Sequence, residues 1–445
     1  MNVNIRHQAA WFAGALALSA ILVAQTAAAN RVRLKVATSS PMMIAGRSQR
    51  AFLKVGLTGF PLERVDRRSP VNVAIVLDRS GSMSGDKMWK AKEAAKMAIG
   101  RLGPDDIVSV VAYNHSVDVL VPATKVNDPR WIYERINRLR PDGNTALFAG
   151  VSKGAAEVRK FMGRNRISRV ILVSDGLANV GPSSPGELAD LGFSLVKEGV
   201  SVSTIGLGTG YNEDLMASLA RASDGNHAFA ENADDLAGIF NYEFGDLLSV
   251  VARNVTIELR CGPGVRPIRV LGRDADIHGN KIITRMNQLY ADQEKYLLIE
   301  VEIPASADGA SREIAAVNVA YSNAVTHKRD KLGGRAEVHF TSSQALVDRN
   351  TDRSVMISSV ELLSNEMNRQ ALELRDKGRT HEAKNVLQKN AKYLEKKAKK
   401  YKSKRLNKLS KDNRSDEQNL EGSSWKRQRK AMRKRQHELD VQQSW

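Results

Sequence analysis

Two hydrophobic rhythms divide the chain. Val71-Asn72-Val73-Ala74-Ile75-Val76-Leu77 and Val170-Ile171-Leu172-Val173 are short, nearly unbroken apolar runs rich in β-branched residues. That is the pattern of strands buried on both faces of a parallel sheet. Ile107 to Ala112 and Val200 to Ile205 repeat it. Gly85 to Arg101, Asp128 to Leu139, Ala146 to Met162, Tyr211 to Ala222 and Ala233 to Leu248 instead carry apolar residues at helical spacing, which predicts helices. Strand and helix alternate from Pro70 to Leu248, so the expected fold there is α/β, with a doubly wound parallel sheet.

On either side the rhythm has a period of two. Arg31 to Val36 and Arg50 to Leu57 alternate polar and apolar residues, as do Asn254 to Leu259, Tyr296 to Ile303 and Ile314 to Tyr321. Half-buried strands with turns such as Cys261-Gly262-Pro263-Gly264 between them predict a β-sandwich. Two strands before Pro70 cannot bury their own faces. They are therefore expected to complete the later sandwich, with the α/β domain inserted between two parts of one β domain.

From Thr351 the texture turns helical: Ser354 to Asp376 and His381 to Tyr401 form a predicted hairpin broken at Lys377-Gly378-Arg379. The expected domains are residues 30–69 (strands joining the sandwich), 70–248 (α/β), 249–345 (sandwich), 346–402 (helical hairpin) and 403–445, a basic tail read as solvated or disordered.

Charge sharpens that last reading. The 445 residues are 42% hydrophobic, enough for two or three cored domains, and carry a net charge of +19. Residues 351–445 hold 25 Lys and Arg against 13 Asp and Glu, a net +12. Runs such as Lys396-Lys397-Ala398-Lys399-Lys400 could hold an exported protein at an anionic envelope surface, each cation contributing about 1 kcal/mol. Nucleic acid is a poor alternative, because aromatics for base stacking are few there.

The amino terminus has the features of an export signal: basic Arg6, an apolar stretch from Trp11 to Val23, and small residues Ala27-Ala28-Ala29 before a mature start near Asn30. A periplasmic, secreted or surface location follows, with an uncleaved anchor as the alternative. Cys261 is the sole cysteine. It excludes an internal disulfide and a lipid-modified cysteine near the cut, and reads as a small buried side chain.

Candidate chemistry gathers at the ends of the buried runs. Asp78-Arg79-Ser80-Gly81-Ser82 follows the first, Ser174-Asp175-Gly176 the second, and Asp142-Gly143-Asn144-Thr145 lies where a loop enters a helix. Alternating strands and helices would bring Asp78, Ser80, Ser82, Thr145 and Asp175 to the carboxyl edge of one sheet, where open α/β folds bind ligands. An all-oxygen donor set suits a hard dication, Mg²⁺ before softer metals.

At these residues the chain resembles the von Willebrand factor type A family, matching D-x-S-x-S, the loop threonine and S-D-G of its metal-ion-dependent adhesion site without a substitution. The flanking sandwich makes it similar to bacterial exported members with an inter-alpha-trypsin-inhibitor-heavy-chain-like arrangement. The resemblance implies Mg²⁺ (or Mn²⁺, or Ca²⁺) held by Ser80, Ser82 and Thr145, with Asp78 and Asp175 acting directly or through water. It also implies a protein partner whose Asp or Glu carboxylate fills the remaining position.

Catalysis finds little support. H-E-x-x-H, C-x-x-C, G-x-S-x-G and Walker A sequences are absent, and His115, His227 and His278 read as surface or capping residues. The Gly206-Leu207-Gly208-Thr209-Gly210 loop lacks a P-loop lysine and reads as a tight turn. A metal-dependent hydrolase remains an alternative, although phosphoryl transfer of the haloacid-dehalogenase type wants a second aspartate where Ser80 stands. A metal that only rigidifies a scaffold is the other. The expectation is a non-enzymatic protein of adhesion or envelope assembly.

Overall fold

A computed structural model describes residues 30–62, 68–163 and 165–442. The export segment expected at 1–29 lies outside them. In chain order, β1 (Arg33–Thr38), β2 (Met42–Ile44) and β3 (Gln49–Thr58) come first. The α/β domain follows as β4 (Val71–Asp78), α1 (Asp86–Ile99), β5 (Ile107–Tyr113), β6 (Val117–Lys125), α2 (Arg130–Asn137), α3 (Leu147–Arg159), β7 (Ile167–Ser174), α4 (Pro185–Lys197), β8 (Val200–Leu207), α5 (Glu213–Ala222), β9 (His227–Ala230) and α6 (Asp235–Leu248). Its sheet runs β6-β5-β4-β7-β8-β9, parallel except for β6 on β5. Every residue of β4, β5, β7 and β8 is buried, as helices on both faces require.

Within the α/β domain three elements go beyond the periodicity reading. β6 is an edge strand of mixed burial and β9 has only four residues, so neither offers a long apolar run. α4 had a legible start: Pro185 follows Ser184, which forms a capping box with Glu187.

The sandwich continues with β10 (Val250–Cys261), β11 (Arg266–Leu271), β12 (Asp276–His278), β13 (Lys281–Tyr290), β14 (Glu294–Ile303), β15 (Ser311–Asn323) and β16 (Arg329–Thr341). One sheet is ordered β1-β3-β14-β11 and the other β12-β13-β10-β15-β16-β2. Pairing of β3 with β14 runs unbroken from Gln49↔Ile303 to Thr58↔Glu294. The α/β domain thus sits between strands that share a sheet. Leu53, Val55 and Leu57 of β3 pack in one core with Ile257, Leu259 and Val317. Cys261 is buried there, and burial pushes its thiol up to about 11, which leaves it unreactive.

Polar groups weld the two units. Arg169 of β7 is fully buried and donates to Glu243 Oε1 of α6 at 2.5 Å, to Tyr290 Oη at 2.7 Å and to Gln288 Oε1. Asn226 Nδ2 and Ser203 Oγ also donate to Glu243, and Asn287 Nδ2 of β13 donates to Ser201 Oγ of β8 at 2.5 Å. His227, expected as a surface or capping residue, is wholly buried, its Nδ1 2.8 Å from Thr204 Oγ1.

The C-terminal region corrects the expectation of a hairpin followed by a disordered tail. After α7 (Gln344–Arg349), the helices α8 (Arg353–Asp376), α9 (Thr380–Tyr401), α10 (Lys404–Gln418) and α11 (Trp425–Val441) pack together. Leu387, Leu394, Leu406, Leu420 and Met432 are buried between them. Asn368 Nδ2 donates to Asn413 and Asp416 through a polar layer that also takes in Asn390 and Gln436. Many cations of α11 are neutralised by acids distant in sequence. Arg429 pairs with Glu213, Asp214 and Asp376, Lys430 with Glu213 at 2.6 Å, and Arg433 with Asp214 at 2.7 Å. Local charge density overstated solvation because these partners lie on α5 and α8. Among the described residues no helix is long and apolar enough to cross a membrane.

Candidate metal centre

Asp78 ends β4 and Asp175 follows β7, its neighbour in the sheet, so both carboxylates reach the same carboxyl edge. Asp78 is fully buried; its Oδ1 accepts the Ser80 backbone N–H at 2.8 Å and its Oδ2 the Ser174 hydroxyl at 2.6 Å. Burial raises its carboxyl above the usual range, although the hydrogen bonds from Ser174 and Ser80 pull the other way. Ser80 opens a short 3₁₀ turn, Gly81–Met83, which sets its Oγ 3.1 Å from Ser82 Oγ. Ser82 in turn donates to Asp175 Oδ1 at 2.7 Å.

Thr145 arrives from a third loop, fixed by backbone bonds. Gly81 N–H donates to Gly143 O at 3.0 Å, and Asp142 N–H to Arg79 O at 2.7 Å. Gly143 has φ 74°, and a β-carbon there would fall 2.3 Å from His115 Nδ1, so glycine is required. Asn114 Nδ2 holds Asp142 O at 2.9 Å, and Asn179 Oδ1 accepts the Thr145 N–H at 2.8 Å.

Gly176 makes the convergence measurable. A β-carbon on it would stand 3.0 Å from Thr145 Oγ1, 3.4 Å from Ser82 Oγ and 3.6 Å from Asp78 Oδ2. Oxygens from two loops, residues 78–82 and Thr145, therefore converge on Gly176 of the third, where a side chain would crowd them. Asp78, Ser80, Thr145 and Asp175 are buried and Ser82 is exposed, so the cluster opens to solvent on one side. All five residues singled out from the sequence meet at this edge.

Two carboxylates and three hydroxyls form a hard, all-oxygen set, a chemistry that fits Mg²⁺ or Mn²⁺ and not a thiophilic metal. Among the described residues no group of three or more His, Cys, Asp and Glu is placed to hold a metal, which leaves hydroxyls as the majority donors here. The sequence reading named Ser174 within the S-D-G motif without giving it a role, and missed Asn114, Asn179 and Lys87. Asn114 was findable as a polar residue following a buried strand; Asn179 and Lys87 carry no such mark. Lys87 Nζ donates to Asp175 Oδ2 and, at 3.2 Å, to Ser82 O.

Residues 72–241 match the von Willebrand factor type A domain. An uncharacterized protein of Synechocystis, sll0103, is 28% identical over 277 residues, covering 60% of this chain and 65% of that one. Inter-alpha-trypsin inhibitor heavy chain H2 of Sus scrofa is 28% identical over 200 residues, 42% of this chain and 21% of its own. The chain thus spans less than two thirds of either relative. A solved von Willebrand factor type A structure from Catenulispora acidiphila superposes with TM-score 0.68 at 18% identity, covering 84% of this chain and 88% of that one, a likeness of fold. The sheet order, the oxygen-lined edge and the match over residues 72–241 identify this chain as one that carries a von Willebrand factor type A domain.

Proposed function

We propose that this chain is an exported, non-enzymatic protein that captures an acidic segment of a protein partner through a divalent cation held by Asp78, Ser80, Ser82, Thr145 and Asp175. Domains of this family commonly mediate protein–protein interaction and often bind a divalent metal. The observation that carries the reading is the ring of Thr145, Ser82 and Asp78 oxygens around Gly176, open at Ser82. When bound, Mg²⁺ or Mn²⁺ would supply a Lewis-acidic positive centre. With the three neutral hydroxyls as direct donors and Asp78 and Asp175 acting through water, the ion's charge would stay under-compensated, which favours an outside carboxylate. Leu177, 58% exposed two residues past Asp175, offers apolar contact beside it.

Titration calorimetry with MgCl₂ and MnCl₂ tests the site. Ser80→Ala and Thr145→Ala should each weaken uptake by at least about tenfold to a hundredfold, with unchanged melting. Capture of a partner from envelope extract should disappear with chelator and in both variants. If capture persists while Asp78→Ala lowers only the melting temperature, the ion is a structural rivet. Amino-terminal sequencing of protein from the cell envelope tests export: a start near Asn30 supports it, and an intact Met1 in the cytoplasm opposes it.

A second contact is supported by the exposed face of α9 and α10, where Lys392, Lys396, Lys400, Lys404, Lys408 and Lys411 all face solvent. These cations suit an anionic envelope surface. Reversing Lys396, Lys400, Lys404 and Lys408 to Glu should lower binding to acidic phospholipid vesicles about a hundredfold or more, and salt should do likewise. Retention unaffected by either would exclude a surface role.

A further inference from the structure

We propose that Lys87 is the metal site's own cation, and that a divalent ion enters only by displacing its ammonium. The inference rests on the reading of the five-oxygen cluster as a metal site. Both oxygens of Asp175 are engaged: Oδ1 accepts the Ser82 hydroxyl at 2.7 Å, and Oδ2 accepts Lys87 Nζ. The same ammonium donates to Ser82 O at 3.2 Å, so it bridges two of the loops that form the cluster. The Asp175 carboxyl group is fully buried, whereas the Lys87 side chain is 39% exposed. One partner is fixed and the other has a route out.

Local geometry places this lysine and not its neighbour at the site. Lys87 is the second residue of α1, which begins directly after Gly85 at φ 75°. Lys90, one turn further, is turned away to Asp234 and lies over the Trp89 ring. A buried carboxylate is costly without a counter-charge, so an ammonium on Asp175 stabilises the metal-free state. A dication on the same carboxylate would face a like charge across one group, and the flexible four-carbon stem lets Lys87 leave. Ion binding is then an exchange of cations, and its affinity is reduced by the stability of the Lys87–Asp175 pair.

The test compares the wild-type full chain with Lys87→Met, which keeps the apolar stem, and Lys87→Arg, which keeps the charge. Calorimetric titration with MgCl₂ should show Lys87→Met binding about tenfold tighter, and Lys87→Arg close to wild type. Amine acylation read by peptide mass spectrometry should find Lys87 slow in chelator and several-fold faster in Mg²⁺, with Lys90 unchanged. If wild type binds Mg²⁺ but Lys87→Met binds no tighter and the acylation rate does not move, the exchange is refuted and the metal site stands. If Lys87→Met alone takes up Mg²⁺, the lysine is a block and the proposal holds in its strongest form. If neither binds while both melt alike, the metal reading itself is overturned, and the exchange with it.

Discussion

Glu243→Ala is expected to destabilise the full chain by about 3–5 kcal/mol, because it strands the Arg169 guanidinium in a site with no exposure to water. Loss of ordinary hydrogen bonds would account for only about 1 kcal/mol each, so the magnitude separates an uncompensated buried charge from a lost contact. Tyr290 and Gln288 still accept from Arg169 after the change without a formal charge to offset it, and Asp246, the acid that still acts on it electrostatically, replaces only part of what the direct Glu243 pair supplies. The pair lies between β7, α6 and β13, and so the loss should appear in both units together. Urea unfolding followed by fluorescence checks this, and a double variant, Arg169→Met with Glu243→Leu, should recover most of the stability. A loss under about 1 kcal/mol for Glu243→Ala would show that water reaches the arginine.

The second large effect is expected at Glu213→Ala. This acid is 7% exposed at its side chain and is the partner of Lys430, itself 5% exposed. Arg429 keeps Asp214 and Asp376, but Lys430 is left buried with, among the described residues, the Tyr211 ring at 4.7 Å and no acid paired to it. The docking of α11 on α5 should weaken by about 3 kcal/mol. Hydrogen exchange along α11 reads that directly, and trypsin should then cut at Arg433 and Arg435. For contrast, Arg427→Ala removes an ion pair whose side chains are 64% and 39% exposed, and its cost should stay below about 1 kcal/mol. Equal protection of α11 in the Glu213 variant and wild type would mean that the polar layer of Asn368 and Asp416 holds the helix without the ion pairs.

These two sites also show how unevenly the molecule can be read from its residues. β4 and β7 were legible because a strand buried on both faces leaves an apolar run, and Asp78 and Asp175 because a polar residue must end such a run. β6 and β9 were hidden, one by its mixed edge burial and the other by its length of four. The order of α10 and α11 was hidden for a different reason. Leu406, Leu409 and Met432 are spaced for a core, but abundant neighbouring lysines and arginines mask them. The acids that neutralise many of the α11 cations are more than two hundred residues away on α5.

The residue pattern by itself determined the alternation of strand and helix, the half-buried strands on either side, and the five oxygen-bearing side chains at strand ends. Those features follow from local periodicity and turn chemistry, which act over a few residues. Tertiary structure alone decided the order of the sheets and the burial of Arg169 and Glu243. It also decided the docking of a basic helix onto acidic α5, and the placement of Lys87 rather than Lys90 on Asp175. Each of these is a pairing between groups distant in sequence or facing from separate elements. Charge and polarity along a chain say that a partner is needed, and only the packed fold says which one is within reach.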